Sequence, residues 1–322
     1  MKKIIISAPI EFIPDLKVEM MNEFDCTFSY QANKKETINL LKKNQFEAWM
    51  VSPCPSYIID GELMDSCPSL KIIATPSTGS NHINIDDSKK RGIEVYTLKG
   101  TKEVNQIHAS SEFTFNLMIS TIRKTPYAFQ AVRNGRWRES ESQFRGRELD
   151  GMHLGIVGYG RIGSNLARYA SAFRMNIYAY DPYLKINDKN VSQEHNLYDM
   201  ISKIDVLVVC VHLNDETFKM INDDVFNSLR KGAYFINTSR GEVVDENSLV
   251  RNLQNGKIYA AGIDVISDEM TGEKREHPLI KYAQTHENLI ITPHIAGLTY
   301  DSERKAQTAA YSAIKKILIN RL

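Results

Sequence analysis

The run "HLGIVGYGRIGSNLARYASAF" restricts the possible architectures more than any other stretch of the chain. An apolar segment enters a turn that holds Gly158, Gly160 and Gly163 in G-x-G-x-x-G spacing, and a helical segment leaves it. Gly158 permits the tight turn, Gly160 lets backbone approach a pyrophosphate with no Cβ in the way, and Gly163 lets the helix lie close to the strand. The helix start adds unpaired N–H groups and a partial positive charge, both suited to phosphate. The next apolar run, "NIYAYD", ends at Asp181, where a carboxylate can accept from ribose hydroxyls and would repel a 2′-phosphate. The expected cofactor is NAD rather than NADP. A tight strand-to-helix turn with no ligand is the competing reading, and the joint presence of strand, helix and acid counts against it.

The same texture continues along the chain. Short apolar runs alternate with amphipathic, charged segments, as parallel strands joined by crossover helices do. Early strands are expected at "KIIISA", "FEAWMVS", "KIIATP" and "IEVYTL", with helices including "IPDLKVEMMNEF" and "ETINLLKKN". A long helical stretch, "VNQIHASSEFTFNLMISTIRKTPYAFQAVRNG", then reads as a connector, with Gly135 as its stop signal. Beyond the polar "RWRESESQFRGRELDG" a second series follows: "HLGIVG", "NIYAYD", "DVLVVCV", "AYFINT", "YAAGIDV" and "NLIITP". The final "DSERKAQTAAYSAIKKILINRL" reads as a helix. A length of 322 residues exceeds one ordinary core and implies about two domains. The fold is expected to be α/β.

Charge and cysteine usage remove several function classes. Lys+Arg 40 against Asp+Glu 39 leaves a net charge of +1, which asks for neither nucleic acid nor an anionic membrane. The opening "MKKIIISAPIEF" imitates a signal peptide, but Pro9 interrupts its apolar run and Glu11 ends it, so a buried strand is expected. No uncharged stretch approaches the length of a membrane span. Cys26, Cys54, Cys67 and Cys210 show neither metal-like nor disulfide-framework spacing. A cytosolic chain with reduced thiols and no bound metal is expected.

Three later strand ends carry chemistry. Arg240 follows "AYFINT", Asp264 ends "AAGIDV" with Glu269 in the next loop, and His294 follows "NLIITP". Ligands of open α/β sheets bind at the carboxyl ends of strands, so a guanidinium, a carboxylate and an imidazole are aimed at one place. Arg240 can bind a substrate carboxylate and polarise the neighbouring oxygen. His294 can exchange a hydroxyl proton, and Glu269 beside it would orient the ring and favour its protonated form. Each residue also has an ordinary reading: Arg240 paired with Glu242 or Asp245, Glu269 solvated, His294 satisfying a backbone carbonyl. The dinucleotide turn upstream favours chemistry for the set.

Taken together, "GIVGYGRIG", "NTSRGEVVDENSL", "GIDV" with Glu269, and "TPHIAGLT" resemble the D-isomer-specific 2-hydroxyacid dehydrogenases, the family of phosphoglycerate, glycerate and D-lactate dehydrogenases. In the N-terminal part, "STGSNHINID" resembles the family's glycine loop and "FRGRELDG" its lead into the cofactor domain. The resemblance implies two doubly wound parallel-sheet domains, a Rossmann cofactor domain over 104–296 inserted into a flavodoxin-like substrate domain made of 1–103 and 297–322. It also implies an NAD-dependent oxidoreductase exchanging a hydride with a D-2-hydroxy acid or 2-keto acid, possible phosphoglycerate chemistry included. Arg240, Glu269 and His294 are then the catalytic set, with Asp264 near the nicotinamide. Backbone amides of Ser77, Thr78 and Gly79 would hold the substrate carboxylate, and Arg161, Ile162, Thr238, Ser239 and Arg240 would contact NAD. A homodimer joined through the cofactor domains is the family expectation. Three departures stand out: Met270 in place of a usual Pro after Glu269, His212 in place of a usual Pro, and Phe113 in place of a frequent His. Formate dehydrogenases, which need no proton shuttle, carry Gln where Glu269 stands.

Two other readings compete with this one. "YSAIK" gives a Tyr311 and Lys315 pair at short-chain dehydrogenase spacing, but on a terminal helix with no strand to follow. An NAD(H)-sensing, corepressor-like binding protein of the same fold is the other. Lys99 and Lys102 are candidates for binding a second acidic group of the substrate, against the plain reading of two solvated lysines.

Overall fold

A strand buried on both faces must be apolar at every position. β1 (Lys3–Ile6) shows this beyond its exposed first residue, since Ile4 and Ile6 enter one core and Ile5 enters the core on the other face. The computed structural model describes residues 1–269 and 273–319. Two units are distinguished: Met1–Ile107 with the segment from Leu298 onward, and His108–Gly297.

In the first unit β1 is followed by α1 (Pro14–Glu23), β2 (Asp25–Phe28), α2 (Lys34–Lys43), β3 (Ala48–Met50), α3 (Gly61–Asp65), β4 (Ile72–Ala74), α4 (Ile85–Lys90) and β5 (Glu94–Tyr96). The strands pair in parallel in the order β2-β1-β3-β4-β5, a flavodoxin-like doubly wound sheet. Helix ends are set locally. Asn33 and Glu36 exchange bonds in a capping box that starts α2, and Lys42 and Lys43 lie in its last turn, where the dipole favours cations.

In the second unit the long helical stretch divides. A 3-10 turn at Glu103–Gln106 comes before the unit; α5 (Ala109–Ile122) and α6 (Thr125–Arg133) are separated at Lys124, which adopts φ 54°. Pro126 explains the break, because it has no N–H to donate to the Ile122 carbonyl four residues back and its ring crowds that carbonyl, whereas the first turn of a new helix tolerates it. Then come β6 (His153–Val157), α7 (Arg161–Ala172), β7 (Asn176–Tyr180), β8 (Val191–Glu194), α8 (Leu197–Ile201), β9 (Val206–Val209), α9 (Asp223–Ser228), β10 (Ala233–Asn237), α10 (Glu246–Gln254), β11 (Ile258–Ile263), α11 (Pro278–Ala283) and β12 (Leu289–Ile291). The sheet is parallel throughout, ordered β12-β11-β10-β9-β6-β7-β8. Side chains alternate between two cores: Leu207, Val209 and Phe235 on one face, Val206, Val208, Tyr234 and Ile236 on the other. Strand order reverses between β6 and β9, which opens a crevice at their carboxyl ends, where Rossmann sheets bind dinucleotides.

The last helix, α12 (Tyr300–Leu318), belongs to the first unit and buries Ala310, Tyr311, Ile314 and Leu318 against Ile4, Ile6, Met50 and Ala74. Each such large aliphatic side chain contributes about 1.5 to 3 kcal/mol by leaving water.

Candidate active site

The three glycines of the turn differ in what a Cβ would meet. At Gly158, with φ +91°, it would lie 2.8 Å from the Cys210 carbonyl oxygen, and at Gly163 2.2 Å from the Gly158 carbonyl oxygen. Both are therefore set by packing and backbone conformation. A Cβ at Gly160 would meet nothing within 4 Å, so its absence serves the open side of the turn. α7 begins there without a side-chain cap, and a helix start suits a phosphate through its N–H groups and partial positive charge. Arg161 and Ile162 form the first turn, and burial pushes the Arg161 guanidinium below its ordinary pKa, though not far enough to lose its charge. Asp181 is already oriented: Oδ2 accepts the Tyr159 N–H at 2.9 Å, and Oδ1 accepts those of Tyr183 and Leu184 at 3.0 and 3.2 Å. Gly160, the bare helix start and this fixed carboxylate fit the pyrophosphate and ribose of NAD.

The turn after β10 is shaped by Asn237, which is 1% exposed. Its Oδ1 accepts the Ser239 N–H and hydroxyl, and its Nδ2 donates to the Arg240 carbonyl at 2.9 Å. Thr238 is held through its hydroxyl by buried Thr114, 2.6 Å away. Arg240 donates from one guanidinium nitrogen to the Ser239 carbonyl and, among the described residues, forms no ion pair with Glu242 or Asp245. Asp245 instead caps α10.

His294 has φ 55°, a conformation that costs a residue with a Cβ about 1 to 2 kcal/mol. Asp264 is what holds it there. The Asp264 carbonyl accepts the His294 N–H at 2.8 Å, and its buried carboxylate accepts from Thr292, Ile295 and Ala296. Asp264 is thus the anchor of the histidine's turn, a use the sequence does not announce. The imidazole Nδ1 lies 2.8 Å from Glu269 Oε2. Because an ionised carboxylate only accepts, Nδ1 carries the hydrogen that faces Glu269, which leaves Nε2 as the ring atom that can take up or release a proton. Both side chains are about a third exposed or less, at 31% and 26%, open enough for a reactant and dry enough for the pair to count. Met270 lies outside the described residues.

In the first unit, Ser77, Thr78 and Gly79 follow the carboxyl end of β4. The Ser77 hydroxyl donates to the Gly79 carbonyl at 2.6 Å and the Ser77 carbonyl accepts the Leu98 N–H. The three backbone N–H groups have no acceptor among the described residues, and consecutive amides of this kind suit an anion. Lys99 and Lys102 are both exposed. Phe113 packs against the sheet and His212 is exposed.

The Tyr311 and Lys315 pair is structural. Tyr311 is 2% exposed and donates to Glu23 at 2.6 Å, and Lys315 pairs with the same carboxylate. Burial, with Glu23 beside it, pushes the Tyr311 hydroxyl well above its ordinary pKa, opposite to what a proton-donating tyrosine needs. Among the described residues no helix is long and apolar enough to cross a membrane.

A dinucleotide turn and a histidine–carboxylate pair on one parallel sheet define an NAD-linked oxidoreductase, and comparison narrows the class. The family model described as "D-isomer specific 2-hydroxyacid dehydrogenase, NAD binding domain" matches residues 115–296. A glyoxylate reductase of Thermofilum pendens is 36% identical over 262 residues, 80% of this chain and 74% of that protein. A D-3-phosphoglycerate dehydrogenase of Methanocaldococcus jannaschii is 30% identical over 260 residues, 80% of this chain and 47% of that one. The crystal structure of D-lactate dehydrogenase from Aquifex aeolicus, complexed with NAD and lactic acid, superposes with a TM-score of 0.84 at 28% identity, covering 99% of this chain and 96% of the other. The chain belongs to the D-isomer specific 2-hydroxyacid dehydrogenase family, NAD-dependent oxidoreductases acting on CH–OH donors.

Proposed function

We propose that the chain interconverts a small D-2-hydroxy acid and its 2-keto acid, with glyoxylate as the first substrate to try, given the glyoxylate reductase relatives. Bound NADH supplies the hydride that reaches the keto carbon, and NAD accepts it in the reverse direction. Gly158, Gly160, Arg161, Ile162 and Gly163 would hold the pyrophosphate, Asp181 the ribose, and Thr238, Ser239, Arg240 and Asp264 the nicotinamide end. Arg240 binds the substrate carboxylate and draws electron density from the adjacent carbonyl oxygen. The amides of Ser77, Thr78 and Gly79 donate to the substrate carboxylate. His294 delivers a proton from Nε2 to that oxygen as it gains charge, and takes one back during oxidation. Glu269 fixes the tautomer and stabilises the ring while it is charged.

One observation carries this reading: His294 sits in a strained backbone conformation at a strand end and meets a carboxylate at 2.8 Å. Strain of this kind persists only where the surroundings enforce it. A working homodimer in the cytosol completes the proposal; the four free cysteines are consistent with a reducing compartment, and light scattering on the purified chain tests the dimer. The activity is tested by following NADH oxidation with glyoxylate, hydroxypyruvate, pyruvate, 2-ketoglutarate and 3-phosphohydroxypyruvate. Turnover with glyoxylate or hydroxypyruvate is expected. NADH binding with no oxidation by any of the five would contradict it and revive the corepressor-like reading.

A further inference from the structure

Glu246 takes no part in the chemistry above, yet its side chain is only 12% exposed. It lies in the first turn of α10, where Asp245 already caps the helix, so capping does not account for it. Its Oε1 accepts the Ser267 N–H at 2.7 Å, and its Oε2 accepts the Ser267 hydroxyl at 2.5 Å. His277 Nε2 lies 3.1 Å from the same Oε2 and is also largely buried, at 13% exposure. Ser267 stands two residues before Glu269.

A second contact reaches the same peptide. A Cβ on Gly241, the residue after Arg240, would lie 2.0 Å from the Ile266 carbonyl carbon and 2.1 Å from the Ser267 nitrogen. The Arg240 turn is therefore packed directly on the backbone that leads to Glu269, and only glycine permits the approach. Between this joint and Glu269 stands Asp268, with φ 53°, a second left-handed residue with a Cβ and one that needs enforcement from outside.

We propose that Glu246 is a positioning residue: with His277 behind it, it clamps the Ile266–Ser267 peptide against the Arg240 turn, so that Glu269 is delivered to His294 and registered with Arg240. The inference rests on the reading of Glu269 and His294 as the proton-exchanging pair. Without the clamp Ser267 loses the acceptor for its N–H and hydroxyl, Asp268 relaxes out of its strained conformation, and Glu269 drifts from Nδ1. A misplacement of about 1 Å costs on the order of 100-fold in rate.

The test compares Glu246→Gln, Ser267→Ala, Glu269→Gln and the Glu246→Gln/Glu269→Gln double variant of the full chain, reading kcat, KM, NADH affinity and the isotope effect with NADH deuterated at C4. Glu246→Gln is expected to lower kcat about 10- to 100-fold, to leave KM and NADH affinity nearly unchanged, and to raise the isotope effect on kcat. Ser267→Ala, which deletes one hydroxyl and is the milder change to the fold, is expected to show the same pattern at smaller size. In the Glu269→Gln background the further loss from Glu246→Gln is expected to be within about twofold, since residues acting through one another are not additive. Unchanged kcat in both Glu246→Gln and Ser267→Ala, or losses that multiply in the double variant, overturn the clamp while a large loss in Glu269→Gln leaves the proton-exchanging pair standing. Unchanged kcat in Glu269→Gln overturns that pair, and the clamp with it.

Discussion

Two glutamates in this chain each hold the polar atom of a ring, and they do opposite things. Glu23 takes the Tyr311 hydroxyl and Lys315 inside the first unit, where Tyr311 is almost fully buried in a core helix. Glu269 takes Nδ1 of His294 at the carboxyl end of the second unit's sheet, with both partners partly open and both next to or in left-handed backbone. Residue type and spacing make either set look chemical. What separates them is where the remaining polar atom goes: Tyr311 has none to offer, whereas His294 keeps Nε2. Proton exchange with a ligand needs a polar atom left open to it, and of the two sets the second keeps one.

Of the changes at the two glutamate sites, replacement of Glu269 by Gln should then cost the most activity, lowering turnover about 10² to 10³-fold while thermal stability changes little, read by steady-state kinetics beside calorimetry. Tyr311→Phe should leave turnover unchanged and cost about 1.5 to 3 kcal/mol of unfolding free energy in denaturant melts, the range for a hydrogen bond to a charged group. A turnover loss of several orders of magnitude there would reverse the comparison. The smallest effect is a matter of pH. Lys315 and Tyr311 hold the Glu23 carboxyl below its ordinary value of 4.5. A lowered folded-state pKa means that this group's contribution is present above about 4.5 and is lost as the pH falls through the lowered value. Glu23→Gln should flatten that part of the acid dependence of Tm, and a melting profile identical to the parent's below pH 4.5 would contradict it.

The parts of the fold legible in sequence are those that water excludes on both sides. The runs "HLGIVG" and "DVLVVCV" read as strands because Leu154, Ile156, Val206 and Val208 on one face and Val157, Leu207 and Val209 on the other are all buried. β2 and β8 escape notice for the complementary reason. Each pairs on one side only, and "DCTF" and "VSQE" carry polar residues suited to a sheet edge. The division between α5 and α6 was signalled by Pro126 but masked by apolar spacing that stays helical across it.

At the site, spacing reveals residues that chemistry would need and conceals those that hold them. Gly160 and Asp181 are legible because a phosphate and a ribose impose fixed intervals. Thr114, Asp264 and Glu246 act on backbone or hydroxyls distant in sequence, Asp264 across about thirty residues to the turn of His294. No periodicity encodes such bonds; Asp264, expected near the nicotinamide, has its carboxylate engaged by Thr292, Ile295 and Ala296.

The central claim is that Nε2 of His294 gives up a proton as the keto oxygen gains charge. Single-turnover oxidation of enzyme-bound NADH by glyoxylate, compared between the parent chain and His294→Ala, tests it most directly. The account predicts a rate lower by about 10² to 10⁴ with NADH affinity retained. A His294→Ala rate within a few-fold of the parent would contradict it.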